Sequence, residues 1–245
     1  MSVLITVVIL LGLGVLAAVH RPETSPAPAE GVQEPVAASG SLSPVALAPD
    51  DLPANPLDPP PKAEWEVLPS CRLLPNKTNA AHSFHVMRGS DPSGDPFVFQ
   101  LYGVESPEAT TPSDDEVAAQ SRYFGLAEDL NEEECAEKLG RLGQQAWAAV
   151  EQLLSDQPFA VFTRWERRPD SHYFYAFVYV RDEHGNRRFL QDWLVENGYA
   201  MITRPSLGRL PNGQKGEQFL EDLETLQHSA QQRKSGAWGL LSAKE

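Results

Sequence analysis

Two carboxylates three positions apart, Glu105 and Glu108, stand on a proline-containing turn that follows the alternating stretch Phe97-Val98-Phe99-Gln100-Leu101-Tyr102. Carboxylates at the end of a strand can hold a hard cation through oxygen or move a proton, and an imidazole beside them does acid–base work near neutral pH. His82, with His85 close behind, supplies that imidazole at the edge of the strand Ser83–Met87. His82, Glu105 and Glu108 therefore form a candidate metal site or acid–base set. The plainer reading is that His82 and His85 are ordinary polar residues at a strand end. The six His and two Cys of the chain fall into no C-x-x-C or H-E-x-x-H spacing, so nothing points to a structural zinc site.

The elements that must position these groups are legible from periodicity. Ser83–Met87 and Phe97–Tyr102 read as a hairpin around the turn-rich Asp91-Pro92-Ser93-Gly94-Asp95-Pro96. Alternation puts Phe97, Phe99 and Leu101 on one face and Val98, Gln100 and Tyr102 on the other. Pro158–Thr163 and Tyr173–Val180 read as two further strands joined by the polar stretch Arg164–His172. Helices are expected over Leu142–Leu154, Phe189–Glu196 and Gly216–Lys234, the second stopped at Asn197-Gly198. Short aromatic strands with interleaved helices suggest a small barrel with helices packed outside it.

The rest of the chain bounds the setting. Val3 to Val19 carries no charge, and its 17 residues reach roughly 26 Å as a helix, at the short end of a membrane span. Residues 1–20 are expected to be an uncleaved membrane anchor, with a signal segment as the alternative because the small-residue cleavage pattern is poor. Residues 21–62 are rich in Pro, Ala and acids and read as a linker. An extracytoplasmic domain, periplasmic or at the cell surface, is the expected location, and a secreted one if the segment is cleaved.

The globular part is expected over residues 63–245, with an acidic insertion at 109–139. Residues 105–137 hold eleven Asp or Glu and one Arg, whereas the rest of residues 63–245 holds seventeen acids and seventeen bases. Such a run is ordinarily a solvated face. The whole chain, at a formal charge of −14, repels phosphate backbones, so charge disfavours nucleic acid and suits a protein partner better. Cys71 and Cys135 either pair, pinning the insertion to the start of the barrel, or stay as separate thiols.

Four blocks in this order, Leu101–Glu108, Ala176–Tyr179, Leu190–Ala200 and Lys234–Gly239, resemble the staphylococcal (thermo)nuclease family over roughly residues 70–240. The resemblance implies a mixed α+β, mainly β architecture: a five-stranded barrel of the oligonucleotide/oligosaccharide-binding (OB) type with three packed helices, here with the acidic, helical insertion added. It also implies Ca²⁺-assisted hydrolysis of nucleic-acid phosphodiesters, with two aspartates on the metal, a glutamate activating water and two arginines neutralising the transition state. The family's D-G-D-S loop falls on Ala80-Ala81-His82-Ser83, so one metal aspartate becomes His82; the metal aspartate before the Pro-Glu turn becomes Glu105. The strand arginine falls on Gln100, and the other arginine at or near Tyr173, or His172 with a one-residue shift.

Only Glu108, at the position of the water-activating base, is retained. Arg167 and Arg168 lie nearby in sequence, but their spacing gives no reason to place them in the site. A charge-neutralising arginine in phosphoryl transfer is worth about 10³–10⁵ in rate, so loss of both leaves little of the family reaction. The expectation is a degenerate site with no cofactor and a binding or scaffolding role. The alternative is an altered hydrolase with Glu108 as base and Glu105 and His82 on Ca²⁺ or another divalent cation. Nucleic acid is the partner the family implies in that case. Tyr102, Tyr173, Phe174 and Tyr175 supply a stacking face if the barrel binds an extended ligand, and core if it does not.

Overall fold

The first strand is hidden in the sequence by Pro69-Ser70, which reads as a turn. In the structure β1 (Glu66–Leu73) continues through it, because a bulge absorbs the interruption: pairing with β5 (Phe159–Arg167) shifts register between Leu68 and Cys71, and Ser70 takes φ 59°. This is a computed structural model, and it describes residues 62–89, 96–109, 112–155, 157–169, 171–182 and 184–241. The anchor expected at 1–20 and the linker up to residue 61 lie outside the described residues. No helix among the described residues is long and apolar enough to cross a membrane.

β2 (Ser83–Met87) and β3 (Phe97–Leu101) form the expected hairpin, with Phe84 opposite Phe99 and Ser83 opposite Gln100. β6 (Phe174–Arg181) runs antiparallel to β5 and parallel to β3, so the order β3-β2-β1-β5-β6 returns to β3 and closes a five-stranded barrel. β7 (Arg187–Phe189) extends β6 as a hairpin, and the two-residue strands β4 (Val104–Glu105) and β8 (Met201–Ile202) pair separately. With four α-helices the class is mixed α+β, consistent with an OB-type barrel. Leu68, Phe84, Phe99, Leu101, Val161, Ala176 and Phe177 are essentially sealed from solvent in its core.

The helices begin where helix termini can be satisfied. α1 (Asp114–Tyr123) starts at Ser113, whose hydroxyl accepts from the Glu116 N–H while the Glu116 carboxylate accepts from the Ser113 N–H. α2 (Glu132–Ser155) starts at Glu132 rather than at Leu142, because Asn131 and Glu134 make the same reciprocal cap and three glutamates complement the helix N-terminus. It therefore joins the second half of the acidic insertion to the helix expected over 142–154.

The insertion is also more than a solvated face: Val117, Phe124, Leu126, Cys135, Leu139 and Leu142 form a second apolar cluster with Ala237. Its charges lie outward and its apolar residues inward, a periodicity masked in the sequence by the density of acids. α3 (Leu190–Glu196) and α4 (Gly216–Arg233) occur as expected, followed by a 3₁₀ turn at Gly236–Gly239. Of the two cysteine alternatives, separate thiols hold. Cys71 and Cys135 are both free and buried, in different clusters, and burial pushes the Cys71 thiol up to about 11. Packing of Trp238 on Phe124, with ring centroids 5.1 Å apart, and the Tyr123–Gln227 hydrogen bond tie the insertion down instead.

Candidate functional site

Of the residues singled out in the sequence, Gln100 and Glu105 line one open cleft of about 250 Å³, together with Arg168, Tyr175, Thr203 and Pro205 among others; His82, Glu108 and Tyr173 are not part of its lining. Its floor follows from strand register. Gln100 is buried on β3 and lies opposite Tyr175 on β6, so an amide and a phenol ring stand side by side where the barrel closes. Glu105 reaches the rim from β4, held there by pairing with Met201 on β8. Glu108 follows on the turn, whose backbone lies directly on α2: a Cβ at Gly143 would sit 2.5 Å from the Pro107 carbonyl oxygen and 2.8 Å from the Glu108 carbonyl carbon. Only glycine at that helix position lets the backbone of the turn sit so close.

The cation of the site is Arg168, which the sequence spacing gave no reason to expect. β5 runs four residues beyond its expected end, to Arg167, through a bulge in which Trp165 takes φ 60° and its N–H donates to Thr163 Oγ1 at 2.9 Å. The Arg168 N–H then donates to the Tyr173 carbonyl at 2.9 Å, closing the loop, and Arg168 Nη1 donates to Gln100 Oε1 at 3.0 Å. A guanidinium is thereby brought to the side of the buried Gln100. Tyr173, the other candidate, contributes its main chain to this loop, and Tyr175 rather than Tyr173 lines the cleft. The only trace of this in the sequence is the Arg167-Arg168 doublet; a positive φ at a tryptophan is not something periodicity reveals.

Glu116 on α1 also acts on the site and was not among the candidates. Burial first, and the Glu116 carboxylate second, push Glu105 above the usual carboxylate range; Arg168 pulls it back and Glu108 adds to the rise. Glu108 is raised by the same two causes, again opposed by Arg168. Three carboxylates thus share the field of one guanidinium.

His82 takes no part in that exchange at the surface. It is 3% exposed, and its Nδ1 lies 2.9 Å from the hydroxyl of Ser106, itself sealed from solvent. Burial, with Arg168 adding to it and Glu116 opposing, pushes its pKa down to about 4, so the ring is neutral at physiological pH. His85 forms a separate set with Asn79, Nδ1 to Oδ1 2.8 Å. Among the described residues no three His, Cys, Asp or Glu side chains are grouped so as to hold a metal ion. Tyr102 is 5% exposed, stacks on Tyr175 at 4.8 Å and donates to Glu166, while Phe174 is buried; these aromatics are core and core edge rather than a free stacking face.

The neutral His82 has a consequence for acid stability. Its folded pKa of about 4 lies below the 6.5 of an unperturbed imidazole, so the unfolded chain takes up a proton that the folded chain refuses. That stability is complete above about pH 6.5 and is lost as pH falls towards 4, by about 1–3 kcal/mol. Glu105 and Glu108 act oppositely, because acids with raised folded pKa gain stability on protonation. Urea unfolding at pH 7 and pH 5 is expected to show a net loss in the wild type that His82→Asn reduces; identical pH dependence in the two proteins would show that His82 is not its source.

Compared with family models and with curated proteins, the chain matches none.

Proposed function

We propose that this is a membrane-tethered protein with a thermonuclease-like barrel that has lost, or strongly reduced, phosphodiester hydrolysis and serves in binding or scaffolding outside the cytoplasm. The observation that carries the reading is His82. At the position where the resemblance calls for a metal-holding carboxylate, the side chain is a sealed, neutral imidazole committed to Ser106. A hard divalent cation needs several exposed oxygens at 2.3–2.6 Å, and His82 offers none. The carboxylates that remain, Glu105 and Glu108, have their charge opposed by Glu116 and partly answered by Arg168. A protein ligand fits this acidic rim better than a phosphate backbone does.

Arg168 favours a second reading, an altered metal-dependent phosphodiesterase. Its guanidinium lies against Gln100 Oε1, so one of two missing cations is supplied from a different place in the chain, with Glu108 available as base. The two readings separate on one assay, cleavage of DNA and RNA by the whole chain with Ca²⁺, compared with Glu108→Ala. The first predicts no difference between wild type and variant; the second predicts cleavage that the substitution removes.

A further inference from the structure

The cleft holds hydrogen-bond donors that the described chain does not use. Gln100 lines it and is only 8% exposed. Arg168 Nη1 donates to Gln100 Oε1 at 3.0 Å, which turns the amide Nε2 away from the guanidinium, and among the described residues Nε2 has no hydrogen-bond partner. An amide nine-tenths buried with both N–H groups unmet calls for an acceptor from outside the chain. Arg168 commits only Nη1 of its guanidinium and, among the described residues, is in no ion pair. Guanidinium and amide together make a two-armed donor set for an oxyanion.

The charge around that pair selects among oxyanions. Glu105 lines the same cleft, and among the described residues neither Glu105 nor Glu108 is in an ion pair. Glu116 and Glu108 both raise the Glu105 carboxyl, so the three carboxylates lie in one another's field. A nucleic-acid backbone brings successive negative charges to that set and is repelled. A single carboxylate with a cation beside it is held at both ends. The cleft, at about 250 Å³, lies below the roughly 300–1,000 Å³ of ordinary ligand pockets, so a chain end fits where a continuous chain would have to enter and leave. Leu101, Val104 and Pro205 also line it, an apolar wall for the aliphatic stem of a long basic side chain.

We propose that the cleft captures the C-terminal end of a partner protein that finishes in lysine or arginine. The terminal carboxylate accepts from Arg168 and Gln100 Nε2, and the basic side chain answers Glu105, with Glu108 and Glu116 reinforcing it. This rests on the reading that the cleft binds rather than cleaves, and it names what is bound.

Calorimetric titration of the full chain at low salt with the acetylated peptide Ala-Ala-Ala-Lys, bearing a free terminal carboxylate, tests this. The free acid is expected to bind, and its C-terminal amide to bind roughly tenfold or more weakly. The peptide ending in Ala instead of Lys is expected to bind roughly threefold or more weakly. Both comparisons are made on the wild type, so they do not depend on a variant folding. Arg168→Met is expected to remove the preference for acid over amide, and Glu105→Gln the preference for Lys over Ala. Failure of the free acid to bind, or equal binding of acid and amide, overturns the proposal. So does tighter binding of a short oligothymidylate than of the peptide, which would put a phosphate on Arg168. DNA cleavage that depends on Glu108 would instead remove the reading beneath it, whereas a chain that neither cleaves DNA nor binds the free acid loses this proposal alone.

Discussion

Gly198→Ala is expected to lower the melting temperature by roughly 10 °C or more, corresponding to a loss of at least about 3 kcal/mol. The residue ends α3 with φ 68°, and an added Cβ would stand 2.2 Å from the Ser235 carbonyl oxygen. The contact is reciprocal: a Cβ added at Gly236, at φ 53°, would stand 2.4 Å from the Gly198 carbonyl oxygen, which accepts from the Ala237 N–H at 2.9 Å. The end of α3 and the turn after α4 are therefore locked backbone to backbone, with no flexible side chain to give way. Gly213→Ala is the natural comparison. It has the same left-handed geometry, φ 84°, but nothing within 4 Å of the added Cβ, so it is expected to cost only the strain of about 1–2 kcal/mol. Thermal unfolding by circular dichroism compares the two; equal losses would mean that strain, not the clash, sets the cost. Because Gln191 on α3 donates to the Ala176 carbonyl on β6 at 3.1 Å, loosening α3 also loosens the strand that carries Tyr175 into the cleft.

Arg168→Met is expected to destabilise the protein by about 1–3 kcal/mol at pH 7. The substitution leaves the buried Gln100 oxygen without its donor and removes the one guanidinium that pulls Glu105 and Glu108 downward. The pH dependence identifies the electrostatic part. Both carboxylates already titrate above the usual range in the folded state, and losing Arg168 raises them further. Their penalty is therefore largest above the folded pKa and is relieved as pH falls towards the unfolded value of about 4.3. The difference between wild type and Arg168→Met is expected to shrink from pH 7 to pH 4.5, and Glu116→Gln in the variant background is expected to recover part of it. A difference independent of pH and of Glu116 would assign Arg168 a packing role only.

The barrel strands that alternate cleanly were legible: Ser83–Met87, Phe97–Tyr102 and Tyr173–Val180 fall within a residue of β2, β3 and β6. β1 escaped because Pro69-Ser70 imitates a turn while the fold uses it as a bulge. The insertion escaped in part because a dense acidic face dominates its composition, although Cys135, Leu139 and Leu142 keep helical spacing beneath it on α2. For the site, Gln100 and Glu105 line one cleft, and Glu108 lies on the turn beyond it, close enough to Glu105 to raise its pKa. Arg168 depends on the Trp165 bulge, and Glu116 on how α1 docks, so both are products of tertiary structure rather than of any local pattern. The burial of His82 was likewise unavailable from its neighbours, since Ala80, Ala81 and Ser83 read equally well as surface or interior.

Hydrolysis of single-stranded DNA and of RNA by the purified full chain, with Ca²⁺ or Mn²⁺ at pH 7 to 9 and Glu108→Ala alongside, bears most directly on the claim that the barrel keeps its shape without its reaction. Wild type and Glu108→Ala are expected to be indistinguishable, both at the background of a mock preparation. Robust, metal-dependent cleavage by the wild type that disappears in Glu108→Ala would contradict it and leave Arg168 and Glu108 as the groups to explain the activity.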